Sequence, residues 1–394
     1  MATDTQPETR RTNSFGELEP GWEPMLDDWL RPQDPEHQIG PILAGVLHEY
    51  LLSDDAIADA AAAAARRFDD LYSTVYEPRF NGYRKTHKGW TGYLIVFYEL
   101  LFSVAVEMHY DDPKQDKIIQ LLAELRKLPP HAVRIFVQPE FEWVDSEIWT
   151  RDPLLPWELV SLEPYGNITF EYYNNLKDPD RLQLFEQSTA YYVNFYAFQA
   201  RCTAAGFDAG FKTRFIRAGD IISTGLHPDY PDYLEKLDCH VMAAAQYILH
   251  AGNVIDAECV KKQLPPRRHP GWKGWDNGNG PAVWKQWGNS LAEIADALEG
   301  RGELGFRLFE KNREALTDMV IKARDKMVAL EPALFAQPDP EPVADSAPSS
   351  KATQSPAAGG NPEPHSEPPA LVRLGGQSRT GIFGRTVRWI WGKR

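Results

Sequence analysis

Three cysteines in 394 residues, Cys202, Cys239 and Cys259, are too few and too widely spaced for a disulfide framework or a zinc site. Their thiols are expected to be buried and reduced, which fits a cytoplasmic or nuclear protein. Positive charge is scarce as well: 42 Lys and Arg stand against 56 Asp and Glu, a formal charge of −14. That balance argues against nucleic-acid binding by the body of the chain. Long apolar runs are missing. The strongest, Tyr93 to Val106, is interrupted by Glu99 and falls short of the roughly 20 residues that a membrane span requires, so a buried helix is expected there. The N-terminus carries Arg10-Arg11 and acids but no apolar segment, so no secretory signal is expected.

Catalytic grammar is missing too. There is no HExxH pair, no Gly-x-Ser-x-Gly elbow and no phosphate-cradling glycine loop after a strand. His240 and His250 lie ten apart and are read as residues on different helix faces. Asp54-Asp55 with Asp59, Asp69-Asp70, and Asp111-Asp112 with Asp116 have the make-up of magnesium-holding clusters in helical diphosphate-processing enzymes. The second motif of that class, an Asn, a Ser and a Glu at four-residue spacing, is absent. The first and third groups sit at helix starts, where Asp caps free amides, and Asp69-Asp70 fits a solvated face. No catalytic, metal-ligating or cofactor-binding residue is therefore nominated, and no cofactor is expected.

What the chain does have is helical periodicity. Trp22, Met25, Leu26, Trp29 and Leu30 form an apolar cluster that tacks the incoming segment onto a core. After Pro41, the residues Ile42, Leu43, Val46, Leu47, Tyr50 and Leu51 recur at three and four. Ser53 has the chemistry of an N-cap for an alanine-driven helix running to about Tyr76. Further helices are expected over Trp90–Met108, from Asp112-Pro113 to Leu128, Pro179–Ala205 with Gly206 as C-cap, Asp208–Leu226, Tyr233–Ala251 ending at Gly252, Pro281–Leu298 and Glu303–Leu330. Residues 131–178 read poorly. Val133 to Val137 has strand chemistry, but a lone strand among helices has little to pair with, so it is read as extended or irregular. The fold class is all-α: a single multi-helix domain of about nine or ten helices over residues 21–335. Residues 1–20 are expected to be disordered, and so is the Pro/Ser/Ala-rich linker 336–378.

Beyond the linker the charge inverts. Residues 371–394 hold six basic residues and no acidic one, residues 336–370 carry −4, and −16 remains on residues 1–335. Read as a helix, Gly381–Gly392 gathers Ile382, Phe383, Val387, Ile390 and Trp391 within one half of its wheel, with Arg385 and Arg388 opposite. A basic amphipathic tail of this kind (379–394) suits an anionic membrane surface or a groove on a partner. Phe383, Arg385, Val387, Arg388, Ile390 and Trp391 are its candidate contact residues. The Trp- and Gly-rich loop around Trp272 and Trp275 is the candidate rim of a pocket.

Several segments taken in order carry a likeness. They are Gln115-Asp116-Lys117-Ile118 leading to Leu128-Pro129, and Val193-Asn194-Phe195-Tyr196-Ala197-Phe198-Gln199-Ala200-Arg201. Ala243 to Ala251, Trp284-Lys285-Gln286-Trp287-Gly288 and Ala323-Arg324-Asp325-Lys326-Met327 complete the set. Together they resemble an uncharacterised all-helical family of ascomycete fungi, a domain of unknown function. The resemblance implies a helical fold and a fungal source, and brings no activity and no catalytic residues.

The expectation is thus a non-enzymatic, soluble helical protein acting by contacts with an unknown protein partner, its tail adding attachment to a membrane or partner. The alternative is a small-molecule binder or enzyme with a pocket among the aromatic helices and the Trp272/Trp275 loop. Neither a signal peptide nor a transmembrane helix is expected.

Overall fold

The computed structural model describes residues 21–31, 39–80, 89–137, 142–150, 154–161, 179–207, 214–226, 237–261, 264–267 and 277–336. The chain divides into two units, Met1–Phe335 and Ala336–Arg394, and the elements below belong to the first. Helix α1 (Trp22–Leu30) turns Trp22 and Leu26 inward. α2 (Gly40–Leu52) starts on Pro41, whose missing N–H is no loss in a first turn. α3 (Ile57–Leu71) runs into a π-helical turn, Tyr72–Tyr76, and one further turn, Glu77–Phe80. α4 (Gly89–Glu107) is apolar all round because it is enclosed all round; it is long and apolar enough to cross a membrane, yet 89% of its most apolar stretch is buried inside the fold. α5 (Pro113–Leu125) is capped by Asp112, whose carboxylate accepts from Lys114 N at 2.8 Å.

A hairpin of β1 (His131–Val137) and β2 (Glu142–Ile148) follows, antiparallel and in register from His131↔Ile148 to Val137↔Glu142. Then come α6 (Leu154–Ser161), the long α7 (Pro179–Ala204), α8 (Arg214–Leu226) and α9 (Asp238–Ile255), which ends in a second π turn, Asp256–Val260. A short pairing of β3 (Leu264–Arg267) with β4 (Asn277–Asn279) leads to α10 (Pro281–Leu298), α11 (Arg313–Leu330) and a last turn, Pro332–Phe335.

Two apolar cores result. The first gathers side chains from α1 through α6, with Ile135 and Ile148 from the hairpin. The second is built from α7 through α11 around Tyr247, Trp284 and Met327. Helix α7 serves both: Phe198 and Cys202 enter the first core, while Phe185, Phe195 and Tyr196 enter the second. Where α8 crosses α9, a Cβ on Gly225 would lie 2.4 Å from the His240 carbonyl oxygen, so only glycine allows that approach.

The all-helical expectation holds, with four corrections. Val133–Val137 is no irregular stretch, because Glu142–Ile148 pairs with it. Glu142, Asp145 and Glu147 mask the apolar residues of that partner strand. Ser53 does not cap α3: its hydroxyl accepts from Asp55 N at 3.1 Å, and the helix begins after Ala56. Gly252 does not end α9, which continues to Ile255 with Gly252 facing Lys326 across the crossing with α11. The closing helix starts at Arg313, after an irregular segment held by Asp238, whose carboxylate accepts from Phe309 N and Asn312 Nδ2. Gly206, by contrast, takes the expected left-handed φ of 72°, and Phe207 N closes on Cys202 O at 2.9 Å.

Candidate functional site

Helix α3 separates two features that the hydropathy pattern alone does not reveal. On one side it forms a cleft with α2 of about 340 Å³. The floor is apolar, from Pro41, Ile42, Val46 and Leu71. The rim is polar, from Glu49, Arg67, Asp70 and Thr74. Spacing explains both walls: residues 42, 45, 46 and 49 share one face of α2, and residues 67, 70 and 71 one face of α3, continued by Thr74 of the π turn. Arg67 donates to Glu49 across the mouth, and both side chains remain more than half exposed. Gly45 lines the same cleft. A Cβ there would meet nothing within 4 Å, so this glycine makes room for the cleft and not for a neighbouring helix. Inside a helix it costs about 1 kcal/mol relative to alanine.

On the opposite side, Asp69 is the hub of an aromatic assembly. Its carboxylate accepts from Trp149 Nε1 at 2.7 Å and from His131 Nε2 at 2.9 Å. The indole of Trp90 stacks on His131 and on Tyr72, with centroids 5.1 and 3.8 Å apart. Tyr93 closes the base, its hydroxyl donating to Phe68 O. Trp149 has a φ of 68°, the only positive value at a described residue other than glycine, and its two ends explain why: the ring packs on Phe97 while Nε1 reaches Asp69. Burial pushes the hydroxyls of Tyr72 and Tyr93 above their ordinary range and that of Tyr76 to about 12.

The π turn couples the two features. Widening the helix by a residue per turn directs Tyr72 and Tyr76 to the aromatic assembly while Leu71 and Thr74 keep facing the cleft. Ser73 Oγ and Thr74 Oγ1 donate to Asp70 O at 3.2 and 2.7 Å.

A third polar group ties the two cores together. Arg201 of α7 donates to Asp116 Oδ1, Gln115 Oε1 and Tyr110 O, each at 2.9 Å. Gln115 Nε2 in turn reaches Met108 O at 3.1 Å, and Tyr247 of α9 donates to Gln199 at 2.5 Å. Nearby, burial raises the Glu107 carboxyl to about 7, against a hydrogen bond from Gly21 N. Burial, with the charges of Arg201 and Lys326, lowers the His250 imidazole to about 3. Arg201, Asp116, Gln115 and the Tyr110 and Met108 carbonyls satisfy one another, so their chemistry is that of a joint.

The residues singled out from the sequence fall as follows. Trp272 and Trp275 lie outside the described residues, as do Phe383, Arg385, Val387, Arg388, Ile390 and Trp391. Cys202 and Cys239 are buried in different cores. His240 and His250 do not come together: the first accepts from Leu237 N, the second bonds Gln246. Asp69 is not on a solvated face, as the Asp69-Asp70 pattern suggested; only Asp70 is exposed. Among the described residues no three His, Cys, Asp or Glu side chains gather as a metal site would. Sequence reasoning missed Gly45, His131 and Trp149. An unexplained glycine inside a strong helical pattern was the available signal for the first; for the other two, pairing across 60 to 80 residues left none.

Residues 98–291 match the family model described as protein of unknown function, DUF3632. No curated protein and no solved structure matches the chain. The match runs from the middle of α4 into α10 and includes the Arg201 joint. The cleft lies before it.

Proposed function

We propose that this chain, which carries a DUF3632 domain in residues 98–291, is a non-catalytic helical protein that acts by holding a partner protein in the α2–α3 cleft. One observation carries the reading: an apolar floor with Gly45 in its wall and a polar rim, on a surface that the described residues leave open. The assembly around Asp69 supports it as a brace, holding α3 from behind so that its cleft face stays fixed. We further propose an intracellular setting and a fungal source, with segment 379–394 attaching the protein to an anionic membrane or to the partner.

The competing reading, a small-molecule or enzyme pocket, draws on the volume of the cleft, which sits at the lower end of the range of ligand sites. Photo-crosslinking from position 74 beside the cleft and from position 324 on the far helix α11, in cells of the source organism, separates the two. Crosslinks to protein from position 74 alone are expected. Equal yields from both positions, or a retained small molecule in native mass spectrometry that is lost on filling the cleft, would overturn the protein-contact reading.

A further inference from the structure

We infer that the segment seated in the α2–α3 cleft is basic and aliphatic: a short stretch of a partner protein whose Leu, Ile or Val side chains are flanked by Lys or Arg. The inference rests on the protein-contact function proposed above and adds the chemistry of the partner.

Shape gives the aliphatic half. At Gly225, Gly252 and Gly288 the space of a missing Cβ is taken by His240, Lys326 and Phe335, so packing accounts for those glycines. At Gly45 nothing fills it. The backbone of α2 is therefore bare along an apolar trough, which favours a branched aliphatic group over a planar polar one. The trough follows α2 from Pro41 to Glu49, about 12 Å at the helical rise, long enough for side chains one helical turn apart.

Charge gives the basic half. Arg67, the basic residue on the rim, is engaged by Glu49. Asp70 stands exposed at the same rim with no ion pair among the described residues. The charged residues lining the cleft are Glu49, Arg67 and Asp70, two acids against one base, so an approaching segment meets negative potential. A Lys or Arg beside the anchor can bond Asp70 directly. It can also displace Arg67 from Glu49, since that pair is exposed and held weakly.

The test uses the full chain and three helical peptides of equal length that share one pair of leucines at i and i+4. They differ only in flanking residues, Lys, Gln or Glu, and binding is read by fluorescence anisotropy. The Lys peptide is expected to bind about fivefold more tightly than the Gln peptide, the Glu peptide most weakly, with the difference shrinking as salt is raised. Gly45→Leu, whose Cβ would meet nothing within 4 Å, is expected to fill the cleft and remove binding of all three while leaving the melting temperature at or above that of the parent chain. Asp70→Asn should bring the Lys and Gln affinities to within about twofold of each other. Equal affinity for the three peptides, still abolished by Gly45→Leu, would overturn the basic-partner inference and leave the cleft as a protein site. Binding that survives Gly45→Leu, or no binding of any peptide, would overturn both.

Discussion

Glu107 and His250 make the fold respond to pH in opposite directions. Because burial raises Glu107 to about 7 from 4.5, the native chain holds that proton more tightly than the unfolded chain. Its contribution is favourable below pH 4.5 and is lost as pH rises through 7. For His250, lowered to about 3 from 6.5, the unfolded chain binds the proton more tightly. Its contribution is present above 6.5 and is lost as pH falls through 3. Each is worth on the order of 1–3 kcal/mol, reduced because both side chains are only partly buried. Between pH 4.5 and 6.5 the two slopes oppose, and urea unfolding of the parent chain should be nearly flat. Glu107→Gln should then gain stability with rising pH, and His250→Asn should lose it; the same slope in both variants would refute the assignment. At the glycines, Gly45→Ala is expected to raise stability by about 0.5–1 kcal/mol, since the new methyl meets nothing. Gly225→Ala should lower it by about 1–3 kcal/mol or more, since the methyl would overlap a carbonyl oxygen of α9. Calorimetry of the pair checks both signs.

The elements differ in how openly their residues announce them. Proline before an apolar three-and-four pattern places the start of α2, and Asp112-Pro113 places that of α5, because capping and periodicity are local effects. The π turn after Leu71 leaves no such mark: an extra residue in a helical turn follows from the stacking of Tyr72 on Trp90, which arrives from another helix. The β1–β2 hairpin was half legible. Alternation marks Val133–Val137, but its partner carries a charge at three of seven positions, and the pairing becomes favourable only when Ile135 and Ile148 are buried together. Asp69 locks that hairpin to α3. Asp69→Ala leaves the donors of His131 and Trp149 unmet and should cost about 1–3 kcal/mol. Hydrogen exchange should then speed up in β1 and β2 while α9 and α11 keep their protection; uniform loss across the molecule would contradict the brace.

At the scale of the molecule, Arg201 is the bond between two cores. Arg201→Ala would leave Gln115 and the Tyr110 carbonyl without their guanidinium and should cost about 2–4 kcal/mol, seen as a lower urea midpoint. For the chain beyond, liposome co-sedimentation of the full protein and of a form ending at Pro369 is expected to show anionic-lipid binding by the full protein alone. Equal binding by both would remove the tail from the proposal. The sequence by itself determined the helical class, most helix positions, the lack of catalytic motifs and the separation of an acidic body from a basic tip. All of these are set by composition or by interactions within a few residues. The tertiary structure alone decided that Gly45 opens a cleft, that Asp69 meets His131 and Trp149, and that Arg201 bridges Asp116, Gln115 and Tyr110. Those partners lie some 60 to 90 residues apart in the chain, or face empty space, and no local pattern records either circumstance.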